Sequence, residues 1–419
     1  MILSIKQINL MSSRIVSLIA NFISLPFILA LAGTQVLGTY YVLYACFALT
    51  SIFDFGIPNA LISYISNMKL IQGKQILLKT TIILSFLSFF CLISFILVVQ
   101  IIWFELLNKD KIFSIISSGD IYLICILGLI NNIGNLGLKY KSAIAKYSFT
   151  VYFETFTVLF SVVITICLLH VNPSVITLVI GLIGIPTLFS LIHLIFLFCE
   201  LKPPINSYLS GRTLITYALE MLREGKLYLI LQITTVVSLQ VDNLVIGSFL
   251  GPSEVTQIGV TWKIFSVPYL LLVSASGGLW AYASMSNSEL SSQRLKNLIL
   301  QNIKIAFYYS VFFGIIILLF GRYLVKRFSS NLPVPSYSML IISSALLICL
   351  CVAQPIAMVL NGLRKEKFLI VSSTIGMCVN IGLSVLFVNL LNKGYGALIG
   401  TIVAQVLCFI IPAIYVYVA

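Results

Sequence analysis

The chain has 419 residues, 60% of them hydrophobic and 9% charged, and its 25 Lys and Arg against 12 Asp and Glu give a formal charge of +13. Soluble domains are about 45–50% apolar and about 25% charged, so lipid rather than water must bathe most of this surface. The cations stand singly or in small groups between apolar runs, without a nucleic-acid recognition module. This excludes nucleic acid as a partner and points to control of membrane topology. Nine Cys lie in or beside apolar stretches, with no CxxC and no His at zinc spacing, so no disulfide framework, metal or cofactor is expected.

Apolar runs long enough for a hydrocarbon core of about 30 Å recur about twelve times, near 10–32, 37–62, 77–102, 113–137, 150–169, 174–198, 225–248, 254–280, 299–320, 338–360, 368–391 and 395–418. They are continuous rather than alternating, so helices and not barrel strands satisfy the backbone. The opening MILSIKQINLMSSR has no small-residue cleavage site, and the first run is expected to remain as a span. With the N-terminus inside, sixteen of the 25 Lys and Arg fall on the cytoplasmic side and six outside, three (Arg14, Lys263, Lys304) lying within the membrane. Both termini are therefore expected in the cytoplasm. Arg322, Lys326 and Arg327 form the one cluster that runs against this bias.

The longest connection, 199–224, carries Pro203 and Pro204 and then an amphipathic turn around Glu220, Arg223, Glu224 and Lys226. It divides the chain into an N-terminal six-helix lobe (1–198), a cytoplasmic linker (199–224) and a C-terminal six-helix lobe (225–419). A weak repeat supports the division. A span ends and restarts at once in LAGTQVLGTYYVLY (31–44), and again in VDNLVIGSFLGPSEVTQIGV (241–260). Each restarted span then closes on small residues, Gly56 to Ala60 in one and Gly277 to Ala281 in the other. Both halves begin inside, so the repeats are related by an axis along the membrane normal.

An ion at membrane depth costs roughly 2.5–3.5 kcal/mol on insertion scales and normally faces a partner or a wet cavity. Several such cations suggest a passage for something polar. Asp54 precedes Gly56 and Pro58, which loosen the second span into a hinge; it either serves a cavity or pairs with Arg14. Asp242, before the tight turn of the seventh span, can relay a proton or hold a cation, cap the turn, or pair with Lys263. Lys263 either meets an anionic substrate or snorkels to the interface. Arg14 and Lys304, nearer the cytoplasmic face, serve a vestibule for a phosphate group or anchor to headgroups. Glu154 is expected to offset Lys146. Asn131, Asn132 and Asn135 form a polar stripe that lines a cavity or bonds neighbouring helices, and Pro355 is expected to break the tenth span as a second hinge. No nucleotide loop, HExxH or GxSxG is present, and no catalytic residues are assigned.

LGTYYVLYACFALTSIFDFGIPNALISYIS (37–66) resembles the second-helix signature of the polysaccharide-transporter family, within the multidrug/oligosaccharidyl-lipid/polysaccharide exporter superfamily. VDNLVIGSFLGPSEVTQIGVTWKI (241–264) is similar to that family's seventh-to-eighth helix segment, and LNGLRKEKF (360–368) and KGYGALIGTIVAQ (393–405) resemble its late loops. The resemblance implies an all-α membrane protein whose two six-helix lobes form a V around a central cationic cavity. It implies a flippase of the bacterial inner membrane, moving undecaprenyl-pyrophosphate-linked O-antigen repeat units to the periplasmic leaflet by alternating access. Polysaccharide polymerase and chain-length proteins are the partners it implies beside the membrane lipids. Arg14, Lys263 and Lys304 are then candidates for binding the diphosphate, and Asp54 or Asp242 for coupling to protons or Na⁺. A multidrug or organic-cation antiporter of the same superfamily, and a non-transporting scaffold of polysaccharide assembly, are the rival readings.

Overall fold

A computed structural model of the chain describes residues 5–66, 79–85, 87–91, 93–94, 118–143, 147–201, 211–285, 292–328, 333–363 and 365–417. Every regular element among them is helical: α1 (Ile5–Thr50), a 3₁₀ turn (Ser51–Asp54) and α2 (Ile57–Ser66), a shorter apolar α3 (Lys79–Cys91), then α4 (Ser118–Ala143), α5 (Tyr147–Val171) and α6 (Val175–Val179), with α7 (Ile185–Leu201) following a π turn. The second half holds α8 (Gly211–Leu250), α9 (Pro252–Phe265), α10 (Val267–Met285), α11 (Ser292–Phe328), α12 (Tyr337–Gly362), α13 (Glu366–Leu391) and α14 (Tyr395–Gln405), then a π turn and α15 (Ile411–Tyr417). Nine helices among the described residues are long and apolar enough to cross a membrane, or up to 10 if the bent α9–α10 pair is one span. The chain is a multi-pass membrane protein. The end of the expected third span (95–102 of 77–102) and Lys146 lie outside the described residues, as does the side chain of Arg14 on α1.

The chain divides into two compact units, one of Met1–Asn21 with Leu43–Ile233 and one of Phe22–Val42 with Thr234–Ala419. The division cuts α8 after Ile233. It also assigns the middle of α1 to the second unit.

In the first unit α4 packs on α7 and α2, and glycines let the helices approach. A methyl group on Gly128 would lie 2.0 Å from Thr50 Oγ1, one on Gly134 2.5 Å from Ser190 Oγ, and one on Gly181 2.2 Å from Thr165 Oγ1. Such contacts replace the hydrophobic drive that lipid cannot supply. Ile57, Leu61, Leu84, Leu136 and Tyr140 make a core that excludes lipid. His193 is buried beside the rings of Phe149 and Phe153, 5.3 and 5.0 Å away. Lys141 makes the one ion pair among the described residues, 3.0 Å from Glu200.

In the second unit α12 packs between α10 and α11, and α13 lies along α14. α12 runs unbroken through Pro355, so the expected second hinge is not a break. Proline inside a transmembrane helix is tolerated in a packed bundle, and the helix here packs closely on α10, with Gln354 Nε2 3.4 Å from Ser276 Oγ. The bend falls elsewhere. α9 and α10 meet at 52° around Ser266, where Pro268 cannot donate and disfavours the helical conformation of Val267. The expected closure at Gly277 to Ala281 is instead continuous helix.

The break after α1 is built from a left-handed pair, Phe55 at φ 55 and Gly56 at φ 69. Gly56 also faces backbone, because a methyl group there would lie 2.4 Å from the Gly225 carbonyl oxygen. Gly33, at φ 78 and ψ 173, is conformationally special but has nothing within 4 Å. Gly56→Ala therefore combines strain of about 1–3 kcal/mol with a backbone clash, whereas Gly33→Ala carries the strain alone. Thermal unfolding in detergent should show the larger loss for Gly56→Ala. Gly382→Ala, with open space at a helical site, should leave the midpoint unchanged or raise it.

Candidate functional site

Asp242 sits late in α8, two turns before the α8–α9 turn, and meets side chains from α13 and α14. Ser384 Oγ lies 3.1 Å from Asp242 Oδ1, and Thr401 Oγ1 lies 2.7 Å from Oδ2. The same hydroxyls lie 3.1 and 3.2 Å from Asn380 Oδ1, and 3.2 and 3.3 Å from the Ala397 carbonyl oxygen. The Asn380 amide nitrogen is turned away, 3.3 Å from the Ser238 carbonyl. Gly400 permits this convergence, since a methyl group there would lie 2.6 Å from Ser384 Oγ.

The arithmetic of protons is what makes this cluster chemical. A hydroxyl donates one hydrogen, so two protons are shared among both carboxylate oxygens and the Asn380 side-chain carbonyl, the Ala397 carbonyl already accepting within α14. Neither Lys263 nor any other cation pairs with Asp242 among the described residues, and it caps no turn; both structural alternatives give way to a hydroxyl-lined pocket of oxygens. Oxygen donors are what a hard cation takes. One carboxylate among neutral oxygens matches a single positive charge, a proton or a monovalent ion. The described residues hold no group of three or more His, Cys, Asp or Glu.

A second polar node occupies the break after α1. Asp54 Oδ1 accepts from the Gly56 N–H at 2.7 Å, and Oδ2 from Gln232 Nε2 at 3.1 Å. Gln232 Nε2 also reaches the Ser51 carbonyl at 2.8 Å, and Asn132 Nδ2 reaches the Thr50 carbonyl at the same distance. These bonds supply the carbonyls that the broken helix leaves without partners. Both oxygens of Asp54 are thus occupied by neutral donors, and the role of the node is to hold the break. Asn132 belongs to it and not to an open wall.

Asn131 and Asn135, one helical turn apart and half-buried on α4, have no hydrogen-bond partner among the described residues. The next position along that stripe is Lys139, which the sequence places in a loop. It lies instead within α4, with Nζ 3.1 Å from Asn59 Oδ1 on α2. Its proximity to Lys141 and Lys146 made it look like a topology signal, and only the length of α4 reveals it. Lys263, on the last turn of α9, is half-buried and meets no carboxylate or other acceptor among the described residues. Lys304 is exposed on α11 beside Ile305 and Tyr308, which are 64% and 71% exposed. Those apolar neighbours mark a lipid-facing anchor and oppose the vestibule role. Glu154 is exposed on α5, among exposed Phe156, Leu159 and Phe160.

The two restart segments of the sequence repeat come together in the second unit. Gly33 has φ 78 and ψ 173, and Gly251 has φ 90 and ψ 172, so the same backbone turn occurs in each. Thr256 Oγ1 donates to the Thr34 carbonyl at 2.6 Å. Gly38 lies against the Pro252 carbonyl, and Gly259 against the Tyr41 ring.

With this geometry in view, residues 228–386 match the MatE family model, from α8 into α13. No curated protein matches the chain in sequence. Among solved structures, a multidrug resistance MATE-family transporter of the MOP superfamily in its inward-facing conformation is 14% identical. The match covers 99% of this chain and 94% of that one at a TM-score of 0.68. The lipid II flippase MurJ, inward closed, is 15% identical over 97% of this chain and 87% of its own, with a TM-score of 0.66. A MOP-superfamily transporter from Pyrococcus furiosus, described as having a binding pocket of reversed polarity, is 14% identical over 98% and 93% at 0.62. The fold is that of a MATE-type transporter. The break at Gly56, the restart turns at Gly33 and Gly251, and the Asp242 cluster all lie within that fold.

Replacing Asp242 with Asn exchanges an acceptor-only carboxylate for a neutral group of the same shape carrying its own N–H donors. The shortage of protons then disappears. Thermal unfolding at neutral pH should place Asp242→Asn at or above the wild-type midpoint. Ser384→Ala and Thr401→Val, which remove donors from a charged acceptor, should each cost about 1.5–3 kcal/mol.

Proposed function

We propose that the chain is an alternating-access carrier of the bacterial inner membrane that moves an anionic, diphosphate-linked lipid oligosaccharide from the cytoplasmic to the periplasmic leaflet. The observation that carries this reading is Lys263, a half-buried cation in an apolar helix with no acid beside it among the described residues. Asp54 and Asp242, in contrast, are both engaged, Asp54 by Gly56 and Gln232 and Asp242 by Ser384 and Thr401. A large organic cation would look for an acid without donors around it, whereas Lys263 offers an anion a cation without an acceptor among the described residues.

The undecaprenyl-pyrophosphate-linked repeat unit implied by the motifs at 37–66 and 241–264 fits that polarity. Lys263 meets the diphosphate, and the polyprenyl tail stays in lipid. Asp242 binds the coupling cation, a proton or Na⁺, in its oxygen cluster. Among proteins of this fold one is named a lipid II flippase and others multidrug transporters. The fold admits either cargo, and the charge at Lys263 favours the anionic one.

Purified protein in liposomes with fluorescent polyprenyl-diphosphate oligosaccharide tests the cargo. Wild type should flip the lipid, Lys263→Ala should be slower by roughly tenfold or more, the loss of about 1.4 kcal/mol or more, and Lys263→Arg should keep most of the rate. Full flipping by Lys263→Ala together with altered efflux of organic cations would transfer the assignment to the antiporter. The coupling is read separately, by imposing Na⁺ or pH gradients. Asp242→Asn should flip at a rate independent of either gradient, and a retained gradient response in that variant removes Asp242 from the coupling role.

A further inference from the structure

The cations at the end of α11 are left unexplained by transport and run against the Lys and Arg bias of the loops. α11 is 37 residues long, and one face of it is open over the whole apolar stretch. Lys304, Tyr308, Phe312, Ile315, Leu319, Arg322 and Lys326 follow one another at three- and four-residue steps, and all are exposed. From Lys304 to Arg322 is 18 residues, or about 27 Å of helix at a rise of about 1.5 Å per residue, close to the hydrocarbon thickness of about 30 Å. Charges therefore mark both edges of a lipid-facing stripe. The two edges differ, however. Lys304 stands alone among apolar neighbours, while the far edge gathers Arg322, Lys326 and Arg327 within two turns, with no acid paired to any of them among the described residues.

Arg322 is also oriented. Its guanidinium carbon lies 4.9 Å from the ring centroid of Tyr337, the first residue of α12. Stacking on a ring face leaves the N–H edge of a guanidinium free, and that edge matches phosphate oxygens in a bidentate fork. Snorkelling alone needs one long cation at an interface and does not need one stacked on a ring with two more within two turns of it.

We propose that this corner is a binding site for the phosphate of an anionic phospholipid. Arg322 is held on Tyr337 as the bidentate partner, Lys326 and Arg327 supply further charge, and the acyl chains lie against Phe312, Ile315 and Leu319 of the same stripe. The occupant is a lipid headgroup of the surrounding leaflet and not the carried substrate. The site is on the outer flank of one helix and works whether or not the transport reading holds.

Native mass spectrometry of the full chain in detergent tests this, with equal amounts of phosphatidylglycerol and phosphatidylcholine offered. The wild type should retain phosphatidylglycerol by a factor of ten or more over phosphatidylcholine. The triple variant Arg322→Gln, Lys326→Gln, Arg327→Gln should lose that preference, each removed charge weakening retention roughly fivefold. Lys304→Gln, at the lone-cation edge, should keep it. Equal retention of the two lipids by the wild type overturns the site, and this arm stands even if the triple variant cannot be purified. Preference surviving in the triple variant, or lost in Lys304→Gln alone, overturns it as well. Inorganic phosphate at millimolar concentration should not displace the bound lipid; if it does, the corner reads free phosphate and the lipid assignment fails.

Discussion

In hydrocarbon no water completes a hydrogen bond, so each place where this chain leaves the α-helix must bring its own replacement partners. The break after α1 shows how strictly this holds. Ending a helix frees carbonyls at Thr50 and Ser51, and one is met by Asn132, the other by Gln232. Starting the next helix frees the Gly56 N–H, and Asp54 accepts it. Three side chains, from α4, α8 and the turn itself, thus maintain one irregular turn. Glycine at positions 56 and 225 lets the backbones come close enough for those side chains to reach. Asp54 thus supplies the acceptor that the turn requires.

The same constraint explains why the internal repeat is visible. The restarts at Gly33 and Gly251 use one backbone conformation, positive φ with ψ near 173 and 172, which is essentially restricted to glycine. A turn of this kind leaves few groups unpaired, and Thr256 takes up the Thr34 carbonyl across the contact. The two halves diverge in the spans that follow. The first half breaks at Ser51 to Gly56, while the second bends at Ser266 and continues straight through Gly277 and Gly278. Small residues alone therefore do not break a helix. A positive φ or a proline following closely does.

These differences mark how far the sequence could be read. Spans, their apolar character and the repeat follow from local composition, and those are the features that carried over into the fold. The break at Gly56 was legible because glycine and proline flank it. The bend at Ser266 was equally available, from Pro268, but lay inside a run whose mean apolarity concealed it. Pro355 misled in the opposite direction, because a single proline in a packed helix is absorbed by its neighbours. The Asp242 cluster was beyond reach for a different reason. Its partners Asn380, Ser384 and Thr401 lie 138 to 159 positions away in sequence, and nothing local to Asp242 distinguishes a capped acid from an acid ringed by hydroxyls. Lys139 was hidden by the convention that a lysine near other lysines belongs to a loop.

What remains is a separation of opposite charges that the fold could have cancelled. Asp242 and Lys263 belong to consecutive helices of one unit, joined by the tight turn at Gly251, yet each ends in different company. The acid is surrounded by oxygens with too few protons, and the base has no acceptor among the described residues. A direct pair would recover much of the cost of placing both in an apolar span, and would leave neither free to answer a ligand. Keeping them apart sustains two unmet demands, one for a cation at Asp242 and one for an anion at Lys263. On the proposed function that imbalance is what a carrier requires, because a site already neutral in itself has no reason to change shape when a charge arrives.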